Sequence, residues 1–236
     1  MTVTTFDEPV GATPRGTLVV LPGRGETAAS YRRFGKRLSA DAYRVRVVAV
    51  DLDDLDATRD QVEKLLADES LPSPKVLVGA DTGATLAATV LDEVQADAAV
   101  LAGLALPGST SGGSWADQVD ARTACPVHRA VLDDDAQLDR DALDQPVPWT
   151  SLELATPGKP VLVVHGSDDR ITPPAAATSA YVDAPIARVW LVDGGRHDIL
   201  NDVSHRSVAA TVVLFLESLK LGAGLPPVLV PAGGAR

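Results

Sequence analysis

Residues Lys75-Val76-Leu77-Val78-Gly79-Ala80-Asp81-Thr82-Gly83 carry the most information in this 236-residue sequence. A short, continuously apolar run ends on a glycine, turns within a few residues and enters Ala84-Thr85-Leu86-Ala87-Ala88, a stretch that favours helix. Apolar runs of this length without alternation read as strands buried on both faces, as in a parallel sheet. The glycines flank Asp81 at equal distance. Their missing side chains let neighbouring backbone approach, as a sharp strand–turn–helix corner with a strained central residue requires. Asp81 stands at the tip of that corner.

Outward from the corner the same alternation repeats. Apolar runs at 17–22, 44–50, 98–104, 160–165 and 188–192 predict further strands, and longer patterns at 28–39, 57–67, 82–94, 173–182 and 204–219 predict helices. Strands alternating with helices give an α/β domain, a mostly parallel sheet flanked by helices. No internal repeat is visible, and residues 1–236 read as one domain. Residues 108–159 break the rhythm. They open on Gly108-Ser109-Thr110-Ser111-Gly112-Gly113-Ser114 and carry Trp115, Val119, Val127, Leu132, Leu138 and Leu143. They are expected to form a small cap of one or two helices over the carboxyl edge of the sheet. Residues 221–236, rich in Gly and Pro, are expected to be a flexible tail.

Composition narrows the function. Hydrophobic residues make up 45% and charged residues 22%, within the globular range. Against 21 Lys and Arg stand 32 Asp and Glu, a net charge of −11, which disfavours nucleic acid and anionic membrane as partners. A small molecule is the expected partner, and the sequence leaves the oligomeric state open. With Cys125 the only cysteine, neither a disulfide framework nor a cysteine metal cluster is available. The four His lack metalloprotease spacing, so no metal and no cofactor is expected. The first residues show no signal peptide and no apolar run is long enough to span a bilayer, so a cytoplasmic location is expected.

Three more segments stand where a catalytic constellation needs them. After the strand at 17–22 comes Leu21-Pro22-Gly23-Arg24-Gly25-Glu26. After that at 160–165 comes Gly166-Ser167-Asp168-Asp169-Arg170-Ile171-Thr172-Pro173. After that at 188–192 comes Gly194-Gly195-Arg196-His197-Asp198. Together with Gly79-Ala80-Asp81-Thr82-Gly83, these resemble the α/β-hydrolase superfamily over residues 17–219. The resemblance implies an elbow residue at Asp81, an acid at Asp169, a His at 197, and an oxyanion hole from the backbone N–H groups of Arg24 and Thr82. Pro22 occupies the position where relatives usually have His.

Asp81 stands where most relatives have Ser. A carboxylate attacks saturated carbon and forms an ester on the enzyme itself. The resemblance is therefore to epoxide-hydrolase and haloalkane-dehalogenase chemistry, with His197 activating water and Asp169 orienting it. An ordinary ester suits Asp81 less, because attack would give an anhydride. Neither class is matched in its leaving-group machinery. Thr82, not Trp, follows the nucleophile, and residues 108–159 contain no Tyr. Trp115, Trp149 and His128 are the expected substrate contacts. Two alternatives stay open: a cofactor-free lyase, isomerase or cyclase with Asp81 as general acid or base, and a ligand-binding homologue without turnover. Outside the triad, Arg24 reads as a contact for a substrate anion or as a surface ion pair. His165 reads as a core residue, Asp198 and Asn201 as caps, and Cys125 as buried packing.

Overall fold

The computed structural model describes residues 3–230 and residue 232. Among the described residues seven strands form one sheet: β1 (Thr4–Phe6), β2 (Gly16–Leu21), β3 (Tyr43–Val47), β4 (Lys75–Ala80), β5 (Ala98–Ala102), β6 (Val161–Gly166) and β7 (Ala187–Val192), in the order β1-β3-β2-β4-β5-β6-β7. All neighbours run parallel except β1, which pairs antiparallel with β3. Every residue of β2, β5 and β6 is buried, which explains why these runs are apolar without alternation.

Helices cover both faces. Alternate residues of each strand point to opposite sides. Leu18, Val20, Val76, Val78 and Val100 face one layer with α1 (Arg32–Ala40) and α7 (His205–Leu221), through Phe34, Leu38, Val212 and Leu216. Val19, Leu21, Leu77 and Leu101 face the other, with α2 (Leu55–Ala67), α3 (Thr82–Val90) and α6 (Pro174–Thr178), through Val62, Leu66, Leu86 and Ala177. Each such side chain stabilises the fold by roughly 1.5–3 kcal/mol, so the central strands are the part least free to move.

The expected strands and helices are present with shifted ends. The pattern at 173–182 yields only the short α6, after which Tyr181 and Ala184 continue in turns. β1 was not expected. Three residues, Thr-Thr-Phe, carry no periodicity, and the strand is fixed by register against β3 and by Phe6 lying against Gly35. Residues 108–159 contain α4 (Trp115–Arg122) and α5 (Pro126–Asp134), then a single 3-10 turn at Ala142–Asp144. The tail departs from expectation in its first part. Leu221 is the last residue of α7, and Leu225 is buried at 2% exposure with its carbonyl accepting from Arg188. Residues 231 and 233–236 of that tail lie outside the described residues. Among the described residues no helix is long and apolar enough to cross a membrane.

Candidate active site

The elbow forms as its glycines require. Asp81 adopts φ 48° and ψ −122°, a conformation costing a non-glycine residue about 1–3 kcal/mol. The corner is tight on both sides. A Cβ at Gly79 would lie 2.3 Å from the Gly83 carbonyl, and one at Gly83 would lie 2.1 Å from the Leu21 carbonyl. The Asp81 N–H is anchored to the Ala102 carbonyl of β5, and its own carbonyl accepts from the N–H groups of Ala84 and Thr85 in α3. This seats the Asp81 carboxylate at the carboxyl end of β4, above the centre of the sheet.

Four N–H groups converge on that carboxylate. Oδ2 accepts from the Arg24 backbone N–H at 2.8 Å and Arg24 Nε at 2.9 Å; Oδ1 accepts from Arg24 Nη2 at 2.9 Å and faces His197 Nε2 at 3.1 Å. A carboxylate offers about four lone-pair positions, and all are engaged. His197 Nδ1 faces Asp169 Oδ2 at 2.8 Å, so both imidazole nitrogens point at carboxylate oxygens. Asp169 is held by the N–H groups of Ile171 and Thr172 on Oδ1, at 2.8 and 3.0 Å. Its Oδ2 also lies 2.9 Å from His165 Nε2, which donates to the Thr172 carbonyl.

Electrostatics follow from this chain of charges. Burial pushes the Asp81 carboxyl up, but the Arg24 guanidinium and His197 outweigh it and hold it well below the usual carboxylate range. Burial likewise raises Asp169, and His197 and His165 override it in the same way. Burial alone would lower His197; the Asp169 and Asp81 carboxylates instead raise it to about 10. The resting constellation is an imidazolium between two carboxylates, with a buried guanidinium on one of them.

Arg24 departs from both readings of its side chain. It is 1% exposed and neither sits at the surface nor stands open to a ligand. Its Nη1 donates to the carbonyls of Ser109 at 2.7 Å and Gln145 at 2.9 Å, tying two points of the segment between β5 and β6, one near its start and one past its middle, to the elbow. A signal was present in the sequence. A lone cation between Gly23 and Gly25 in a strand-end loop faces the strand next to it, and that strand leads directly into Asp81.

A second buried group lies behind the His197 loop. The Arg122 guanidinium reaches Glu26 Oε1 at 3.4 Å and Asp198 Oδ2 at 3.5 Å, and His128 Nε2 lies 2.9 Å from Asp198 Oδ2. Glu26, His128 and Asp198 bring their polar atoms within 4.8 Å of one another, but Arg122 supplies the cation there. Burial and Asp198 raise the Glu26 carboxyl against the pull of Arg122. Asp198 is thus an ion-pair partner and not a cap, and His128 is a buried member of this group.

No family model and no curated protein sequence matches the chain. Solved structures do. A soluble variant of monoglyceride lipase from Saccharomyces cerevisiae superimposes with a TM-score of 0.70 at 15% identity, over 91% of this chain and 90% of that one. Monoacylglycerol lipase from Paleococcus ferrophilus gives 0.68 at 17% identity, over 92% and 98%. An esterase from Exiguobacterium antarcticum gives 0.66 at 16%, over 91% and 94%.

The chain has the α/β-hydrolase fold.

Within the hydrolase fold the residues expected at the site divide into two groups. Asp81, His197, Asp169, Arg24 and Thr82 come together at the strand ends, and Thr82 begins α3 fully buried. Trp115 and Trp149 do not join them. Trp115 Nε1 donates to Asp133 at 2.7 Å and its ring is covered by Arg140, while Trp149 packs against the core layer of α2 and α3. His165 is fully buried, as expected from the sequence, and in addition supports Asp169. Its place four residues before Asp169, one turn of chain apart, was the available signal.

Proposed function

We propose that the protein is a hydrolase that accepts a small apolar electrophile, an epoxide or an alkyl halide, on Asp81. The observation supporting this reading is the hydrogen-bonded series Arg24 N–H, Asp81, His197, Asp169, with contacts of 2.8, 3.1 and 2.8 Å. Oδ2 already rests on the Arg24 N–H, the position of an oxyanion donor. That leaves Oδ1 as the oxygen that bonds to carbon while the C–O or C–halogen bond breaks. Attack requires the Arg24 side chain to release Oδ1. Residues 108–159, which hold that side chain, act in this reading as the cap.

The charges make the second step follow from the first. Esterification neutralises Asp81, removing one of the two carboxylates that hold the His197 proton. Opening an epoxide consumes that proton at the departing oxygen; displacing a halide sends it to solvent. Neutral His197 then takes a proton from water as the water oxygen attacks Asp81 Cγ. The negative charge gathers on Oδ2, facing the Arg24 N–H, and collapse releases the alcohol and restores the carboxylate.

A second reading rests on the saturated Asp81 carboxylate. A carboxylate that keeps its Arg24 partner is a fixed anion, and His197 would act as general acid in an elimination or isomerisation without any covalent step. One experiment separates the two. His197→Gln is incubated with styrene oxide and with 1-bromohexane, its intact mass is read, and peptide 77–89 is mapped. A mass gain on Asp81 is expected with 1-bromohexane, whose displacement needs no proton from position 197. Turnover of either compound by the unmodified chain with no adduct on the variant, giving in a single turnover either a product that gained no oxygen or one whose gained oxygen comes entirely from labelled water, would overturn the covalent reading.

A further inference from the structure

Away from Asp81, a cavity of about 290 Å³ opens between α1 and α5. Three cations, Arg32, Arg33 and Lys36, line it. Among the described residues none of them has a carboxylate oxygen within 4.0 Å. In a chain with 32 acidic residues against 21 basic ones, three unneutralised cations on one cavity are an exception. Arg33 is fixed from behind, donating to Cys125 Sγ at 3.4 Å and to the Asn201 carbonyl.

The floor of the cavity carries a second, independent feature. Ser30 and Asn201 line it at 3% and 2% exposure, and Ser30 Oγ and Asn201 Oδ1 are buried without a hydrogen-bond partner. A buried polar atom left unpaired costs roughly 1–3 kcal/mol, a cost that a ligand supplying the missing partner removes. The walls are of another kind: Val127 and Val131 line the cavity, and Val127 stands 60% exposed although it belongs to an amphipathic helix.

We propose that this cavity binds a phosphate monoester bearing an apolar chain. The phosphate, with about −1.5 to −2 charge and several acceptor oxygens, meets Arg32, Arg33, Lys36 and the Ser30 hydroxyl. Asn201 can accept a phosphate hydroxyl or donate to an ester oxygen, and the valines take the chain. A carboxylate brings one charge to three cations and fewer acceptors. The cavity lies behind the His197 loop, since His128 lines it and bonds to Asp198, but its contents make no contact with Asp81.

The test is titration calorimetry on the full chain with hexyl phosphate, hexanoate and inorganic phosphate, at low and high salt. Hexyl phosphate is expected to bind at one site, about tenfold or more tighter than either other probe, and to weaken as salt screens the cations. Arg32→Gln combined with Lys36→Gln, both at exposed positions, should weaken it about tenfold without moving Tm, and Val131→Phe should block it by filling the cavity. Absence of saturable heat overturns the proposal. So does hexanoate binding as tightly as hexyl phosphate, or affinity unchanged in the double variant. None of these readouts involves turnover, so the result is independent of the reaction proposed at Asp81.

Discussion

Arg24 meets Asp81 through three of its own N–H groups, one from the backbone and two from the guanidinium, at 2.8–2.9 Å with the side chains 1% and 5% exposed. No other arginine–carboxylate pair in the described residues combines such burial with such contact.

This pair gives the first prediction. Removing one member of a buried, hydrogen-bonded pair leaves the other charge stranded, at about 3–5 kcal/mol. Arg24→Met and Asp81→Asn should each lower the urea midpoint severely. The combined variant should cost well under the sum, with an interaction energy of about 2 kcal/mol or more. Additive losses would mean that the pair contributes no mutual stabilisation.

The second prediction concerns pH. His197 is raised from its ordinary value of 6.5 to about 10 in the folded chain. Its contribution is therefore complete below pH about 6.5 and is lost as pH rises through about 10, with a slope of at most ~1.4 kcal/mol per pH unit. Asp81 and Asp169 are shifted down, so their contribution is present above the ordinary carboxylate range and disappears on acidification. Urea midpoints between neutral pH and pH 10 should fall for the native sequence and fall less steeply for His197→Gln. Parallel curves would contradict an imidazolium at this position.

A third expectation follows from His165. Its Nε2 serves both Asp169 Oδ2 and the Thr172 carbonyl, each at 2.9 Å. His165→Leu keeps the size and leaves the Thr172 carbonyl unpaired. A loss of about 1–3 kcal/mol is expected, read by thermal or urea unfolding. A neutral substitution would return His165 to the role of simple packing.

The elbow supplies the fourth. Gly83→Ala places a Cβ 2.1 Å from the Leu21 carbonyl and 2.5 Å from that of Pro22. Both obstacles are backbone, in the buried strand β2 and the loop after it, so the corner must distort. A loss above ~3 kcal/mol or failure to fold is expected. Gly224→Ala, with no atom within 4 Å, should stay within about 0.5 kcal/mol of the native chain. Comparable soluble yield and Tm for the two would refute the close approach.

What the sequence revealed and what it hid divide along physical lines. Buried parallel strands must be apolar throughout, so β2, β4, β5 and β6 announced themselves, and the glycines around Asp81 marked the corner. The chain order of Asp81, Asp169 and His197 foreshadowed that the three side chains meet, because each follows a strand end. β1 stayed hidden since three residues carry no period and only pairing with β3 defines it. Arg24 was misjudged for another reason. A buried cation looks in sequence like a surface one until its carboxylate partner, 57 residues away for Arg24, is brought beside it. Trp115 was misjudged the opposite way, as an aromatic in a candidate cap that turns out to be occupied by Asp133 and Arg140.

Arg24 also clasps carbonyls at two separate points of the segment between β5 and β6, at Ser109 and Gln145. Parting that segment from the sheet and unmasking the Asp81 oxygens are therefore one mechanical event, not two. In a turnover experiment such a clasp sets a clock of its own. Reagents of very different intrinsic reactivity would converge on a common maximal rate, and solvent viscosity would matter more to that rate than the bond being broken.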